Sequence, residues 1–169
     1  TCFGGSQGRE QIWGLAFDSD GHIVVVGDTS SGNFPTTPGA FDRTFNSRLT
    51  LFDGYLLHCS GDGRQLFSSS FYGGEERDSL YAVDGDGPVT VVGETNSFEF
   101  PITPGTWNQP LLFLDPMQAT VARFALMPDG VQRFGGSSSG CQGSPTMHAL
   151  GDAVAGNAGF GLACSAAPA

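Results

Sequence analysis

Residues 18–39 read DSDGHIVVVGDTSSGNFPTTPG, and residues 84–105 read DGDGPVTVVGETNSFEFPITPG. The second stretch repeats the first 66 residues later: Asp18 returns as Asp84, Gly27-Asp28-Thr29 as Gly93-Glu94-Thr95, Phe34-Pro35 as Phe100-Pro101, and Thr37-Pro38-Gly39 as Thr103-Pro104-Gly105. One offset held by four separate motifs marks a repeat architecture. Within each copy a β-branched run follows an Asp-Gly turn: Ile23 to Val26 in the first, Val89 to Val92 in the second. Such runs, short and bounded by turn residues, read as strands.

Working outward, Trp13 to Phe17 and Leu80 to Val83 precede the turns and complete two hairpins. A long loop carrying the Phe-Pro and Pro-Gly motifs follows each hairpin. Tyr55 to Cys59, a Ser60-Gly61-Asp62-Gly63 turn and Gln65 to Tyr72 then end the first copy at Gly73-Gly74. The second copy inserts Pro110 to Met117, continues with Thr120 to Leu126 and Val131 to Phe134, and ends at Gly135-Gly136. Phe3-Gly4-Gly5 has the form of the end of a preceding copy. Four strands per copy predict an all-β chain of two propeller-like blades of antiparallel strands, covering 1–74 and 75–140. A tail over 141–169, rich in Gly and Ala, carries a predicted end strand from Ala158 to Ala163. Propellers close with about four to eight blades, so two blades in one chain leave the ring open.

The combined motif of Gly-x-Thr-x-Ser, Phe-Pro-x-Thr and Tyr-Gly-Gly resembles the SBBP repeat, a β-propeller repeat of exported bacterial proteins. The resemblance spans roughly residues 3 to 140. It implies a propeller-like fold and an extracytoplasmic setting, and it implies no particular activity. The second copy carries Ala119 where the pattern puts Asp53 in the first, which argues against Asp53 as a repeated ligand. The tail, entered by Cys-x-Gly-x-Pro, is similar to part of a small C-terminal β module of secreted proteins.

Composition narrows the function classes. A net charge of -10 with only seven basic residues disfavours nucleic acid, whose phosphates demand clustered Lys and Arg. No run of about eighteen apolar residues exists to span a membrane. The chain begins at Thr1 without Met or a signal peptide, the form of a mature or trimmed product. Four cysteines without a CxxC pair point to disulfides of an exported protein rather than to a metal-thiolate centre. The pairing Cys141 with Cys164 is favoured because both flank one tail segment, and Cys2 with Cys59 then pair by elimination. Three connectivities are open to four cysteines.

Asp18, Asp20, Asp84 and Asp86 are the candidate metal ligands, offering hard oxygens of the kind Ca²⁺ takes. The competing reading is an ordinary Asp-Gly hairpin turn, and Thr29 and Thr95 stand where an EF-hand requires Glu. Gly136-Ser137-Ser138-Ser139-Gly140 matches the nucleophile pattern GxSxG but lacks the strand-to-helix setting that gives it meaning. His22, His58 and His148 lie far apart in the sequence and suggest no site. His22 reads as a solvated turn residue, and His58 points to the opposite strand face from Cys59. Trp13, Trp107, Phe98 and Phe100 read as packing residues in preference to a sugar-binding shelf. No acid/base or nucleophile constellation emerges, so the expectation is a non-enzyme requiring no cofactor, with Ca²⁺ as an optional ligand. Two functions follow. One is an exported structural protein whose partner is itself, its blades packing through Phe34, Pro35, Phe100 and Pro101 and its copies joining through open blade faces and strand edges. The alternative is an extracellular propeller fragment that binds glycan or protein through its loops.

Overall fold

The structure, a computed structural model, describes residues 1–48, 51–106, 117–127, 130–133, 146–150 and 161–165. The apolar runs form strands as their period and turns dictate. In the first blade these are β1 (Glu10–Phe17), β2 (Ile23–Thr29), β3 (Asp53–Cys59) and β4 (Leu66–Tyr72), paired antiparallel in that order. In the second they are β5 (Asp78–Asp84), β6 (Val89–Thr95), β7 (Gln118–Met127) and β8 (Gly130–Arg133), again in order. The described residues are all-β, with two open four-stranded blades and no closed ring among them. No helix among the described residues is long and apolar enough to cross a membrane.

Residues 1–134 form one unit and residues 135–169 a second. In the second unit β9 (Thr146–Leu150) pairs antiparallel with β10 (Gly161–Ser165). The predicted end strand is thus placed a little later in the chain, and its first residues, 158–160, lie outside the described set. Val131 to Arg133 fall in β8, while Trp107 and Ser138 are also outside it.

Two glycine positions show why the motif recurs. A Cβ on Gly27 would lie 1.9 Å from the Gln11 carbonyl oxygen, and one on Gly93 would lie 2.1 Å from that of Ser79. Each glycine faces a bulge in the opposite strand, between Ile12 and Gly14 in β1 and between Leu80 and Ala82 in β5. No side chain fits where a strand backbone comes that close. Pro38-Gly39 and Pro104-Gly105 close matching turns. Gly39 and Gly105 take φ of 77° and 82°, and Ala40 N–H and Thr106 N–H donate to Thr37 and Thr103 carbonyls. Pro followed by a left-handed Gly is the pattern of a type II turn. The hydroxyls of Thr29 and Thr95 each accept from the N–H two residues on, at Ser31 and Ser97, both at 2.9 Å. These bonds turn the chain out of β2 and β6.

The blades pack face to face. Val24, Val26, Leu56 and Tyr72 of the first meet Leu80, Val89, Val91, Ala122 and Phe124 of the second in one buried cluster. Fully burying side chains of this size stabilises by roughly 1.5–3 kcal/mol each. A second cluster lies on the first blade's other face, from Val25, Tyr55, Leu57, Cys59 and Phe71, roofed by Phe34.

Candidate interaction faces and a histidine–carboxylate cluster

Period-two alternation assigns every strand residue to one of two faces. In the first blade Val26 pairs with Leu56, and both are buried against the second blade. The matching pair in the second blade is Val92 with Val121, and these are 39% and 74% exposed. The face with which blade one holds blade two is therefore open on blade two. On blade one the reverse face carries a hollow of about 630 Å³ lined by Cys2, Phe3, Pro35, Leu57, Cys59 and Leu66, among others.

The Phe-Pro loops do two different jobs. Phe100 packs edge-on against Tyr72 at 4.9 Å, and Tyr72 Oη donates to the Pro101 carbonyl at 3.2 Å, so this loop ties the second repeat to the first. Phe34 packs on its own blade, 4.6 Å from Tyr55, and against Phe3 at 6.4 Å. Phe3 stands to Phe34 as Tyr72 stands to Phe100. Gly5 N–H donates to Glu10 as Gly74 N–H donates to Asp78, which extends the parallel. The edge of β4 is hydrogen-bonded within the chain. Thr37 N–H and Phe71 N–H tie the loop to β4 through Ser69 and Asp42 carbonyls, so the first blade's own loop covers that edge.

The Cys2–Cys59 bridge is not formed: Cys2 is an exposed free thiol and Cys59 a buried one. Cys59 packs in the apolar cluster under Phe34, and burial pushes its pKa up, disfavouring the thiolate. Cys141 lies outside the described residues, and Cys164 is in β10 opposite Met147.

The aromatic shelf is split. Trp13 Nε1–H donates to Asp28 at 2.8 Å and its ring meets Tyr81 at 5.8 Å, Phe100 packs on Tyr72, and Phe98 is exposed.

The Asp turns are not equivalent. Glu10–Thr29 pairing in the first blade becomes Asp78–Thr95 in the second, so β5 lies 68 residues after β1 while β6 lies 66 after β2. The second turn is shorter. Asp18 sits beyond β1, whereas Asp84 is still paired with Thr90 inside β5. Both carboxylates accept the N–H two residues on, from Asp20 at 3.0 Å and Asp86 at 3.2 Å, the bond of an Asx turn. Likewise Thr29 pairs with Asp53 but Thr95 pairs with Gln118, so Gln118 rather than Ala119 takes the place of Asp53.

Among the described residues one group of three metal-ligating side chains exists, and it joins Asp18 to the two histidines read as isolated. The Ile23–Cys59 and Val24–His58 pairings of β2 with β3 bring His58 back to the hairpin end where His22 stands. Asp18 Oδ2 lies 3.0 Å from His22 Nδ1 and 2.9 Å from His58 Nε2. Asp18 Oδ1 accepts from the backbone N–H groups of Asp20 and His22. Phe67 meets the His22 ring at 4.8 Å and the His58 ring at 5.1 Å. Burial lowers the His58 pKa, working against the pull of Asp18, and favours the neutral imidazole. For Asp18, burial raises the pKa but is outweighed by hydrogen bonds from His22 and His58, and the net shift is down. Asp20, Asp84 and Asp86 join no such group among the described residues. Sequence spacing carried no sign of this cluster; strand register does.

No protein-family model matches the chain, and no curated protein matches it.

Proposed function

We propose that the chain is an exported, non-enzymatic structural protein of the SBBP-repeat type that associates head-to-tail with copies of itself. The supporting observation is the open Val92–Val121 face, the counterpart of the Val26–Leu56 face already buried between the two blades. The same blade-on-blade contact would seat this face of one copy over the hollow beside Phe3, Leu57 and Leu66 of another. Interfaces that join unlike surfaces form rings when the rotation closes and filaments when it does not.

Sedimentation over a range of concentrations tests the reading. The wild type is expected to exceed its chain mass of 17.6 kDa. Val121→Asp and Leu66→Asp each spoil one of the two surfaces and are expected to be monomers alone. Mixed together they retain one good surface each and are expected to form a heterodimer. A wild type that stays at the chain mass at every concentration defeats the proposal.

A further inference from the structure

We propose that Asp18, His22 and His58 form a binding site for a first-row divalent transition cation, with Zn²⁺ as the physiological class and Co²⁺ as its probe. Two imidazoles and one carboxylate are a donor set for such ions, whereas Ca²⁺ and Mg²⁺ prefer oxygen alone.

The three ligand atoms lie within 4.8 Å of one another. Ligands about 2.0–2.1 Å from a tetrahedral Zn²⁺ stand about 3.3 Å apart. His22 Nδ1 and His58 Nε2 already approach one oxygen, Asp18 Oδ2, from two sides. Drawing the nitrogens together takes a small movement of His22, whose side chain is 33% exposed and sits on a hairpin turn. Asp18 is aimed in advance. Its Oδ1 is fixed by two backbone N–H groups, which leaves Oδ2 for the ion, the outer-shell support that metal sites require. The Phe67 ring walls both imidazoles, and the exposed side of His22 leaves a fourth position open to water.

The repeat itself supplies a control. The second blade has Pro88 in place of His22, and Arg123 opposite Thr90 where the first has His58 opposite Val24. The second hairpin, with its shorter turn, therefore folds without either histidine, so a blade of this kind does not demand them. One feature tempers affinity: His58 Nδ1 is buried without a hydrogen-bond partner, so with Nε2 on the metal it carries an N–H that nothing accepts.

The test is a Co²⁺ titration of the chelator-stripped protein, read by visible absorption. One equivalent is expected to bind, to be displaced by Zn²⁺ and to be indifferent to excess Ca²⁺. His22→Ala and His58→Arg are each expected to lower affinity at least tenfold with unchanged circular dichroism, and Cys2→Ser is expected to have no effect. The imidazole resonances of the wild type, followed by NMR during Zn²⁺ addition, keep the test independent of variant folding: His22 and His58 are expected to shift together. Absence of saturable binding, retention of it in both histidine variants, loss of it in Cys2→Ser, or shifts confined to His148 would each overturn the site.

Discussion

Asp53 and Asp78 bring their carboxylates together beside Gly73, where a Cβ would lie 2.7 Å from Asp78 Oδ2 and 3.0 Å from Asp53 Oδ1. Both residues are buried at the joint where the chain leaves the first blade for the second. Asp53 accepts from Asn46 N–H, Ser47 N–H and Ser47 Oγ–H. Asp78 accepts from Gly74 N–H and Ser97 Oγ–H through Oδ2, the Thr95 hydroxyl also acts on this carboxylate, and Oδ1 has no partner within hydrogen-bond distance.

Burial, opposed in part by these bonds, lifts both pKa values from 3.8 to about 6. Between those values the folded state holds more protons than the unfolded chain. Stability from the pair is therefore full below about pH 3.8, declines as pH rises through about 6, and is level above that. The expected size is about 1–3 kcal/mol per carboxyl. Asp78→Asn replaces the unpartnered oxygen or its neighbour with a neutral amide. It is expected to raise the melting temperature at pH 7.5 and to flatten the decline between pH 5 and 7.5. A wild-type melting temperature independent of pH over that interval would remove the effect.

The glycine of the Gly-x-Thr-x-Ser motif is expected to be the least replaceable residue of its blade. Gly27→Ala places a methyl 1.9 Å from the Gln11 carbonyl, a backbone atom that moves only with the whole strand pair. The expected loss is upwards of about 4 kcal/mol, the range reserved for broken cores and strained backbones. Gly87→Ala meets nothing within 4 Å and suffers only from its φ of 78°. Its expected cost is about 1–2 kcal/mol, that of a left-handed non-glycine residue. Denaturant unfolding of both variants compares them, and equal losses would show that the close approach at Gly27 relaxes.

Much of this fold was legible because strand runs, turns and the recurring motif agree with one another. All eight blade strands overlap the runs read as strands, and the Asp-Gly turns separate β1 from β2 and β5 from β6. What was not legible depends on register. Offsets of 68 for β1 to β5 and 66 for β2 to β6 mean that aligning Asp18 with Asp84, correct as sequence, is wrong as structure. His22 and His58 meet only because β3 folds back along β2, a contact that spacing along the chain does not encode. Pairing Cys2 with Cys59 by elimination failed for a related reason: a count of thiols carries no direction, and Cys59 turns into an apolar cluster.

The loop that ties the repeats together gives a third expectation. Phe100 lies against Tyr72 of the preceding blade, while Phe98, two residues earlier, is 65% exposed. Phe100→Ala is expected to cost about 2–3 kcal/mol, toward the low end for a large core ring because Phe100 is only partly buried. Phe98→Ala is expected to stay within about 0.5 kcal/mol. Should the two variants unfold at the same denaturant concentration, the Phe-Pro loop does not hold the blades together.

Asp28 is the polar counterpart of that tie. It is fully buried, and its Oδ2 accepts from Trp13 Nε1–H at 2.8 Å and from Ser79 Oγ–H at 2.9 Å. Trp13 belongs to β1 and Ser79 to β5, so one oxygen latches the first strands of the two blades. Glu94, its counterpart, accepts from Tyr81 Oη–H, and the Tyr81 ring in turn meets Trp13. Asp28→Asn keeps the shape but replaces one acceptor oxygen by an amide donor, set either against Trp13 Nε1–H or against the Gln11 amide, which then has to turn to accept it. The expected loss is about 2–3 kcal/mol, the range for hydrogen bonds to a charged group together with a buried donor left unpaired. Ser79→Ala removes one donor and is expected to cost about 1 kcal/mol, and in the double variant the two losses are expected to be less than additive because the groups share a bond. Trp13 fluorescence reports the same event locally: it is expected to change in Asp28→Asn and to stay unchanged in Ser79→Ala. Strict additivity across the cycle would mean that Asp28 serves only the Trp13 side and does not couple β1 to β5 through Ser79.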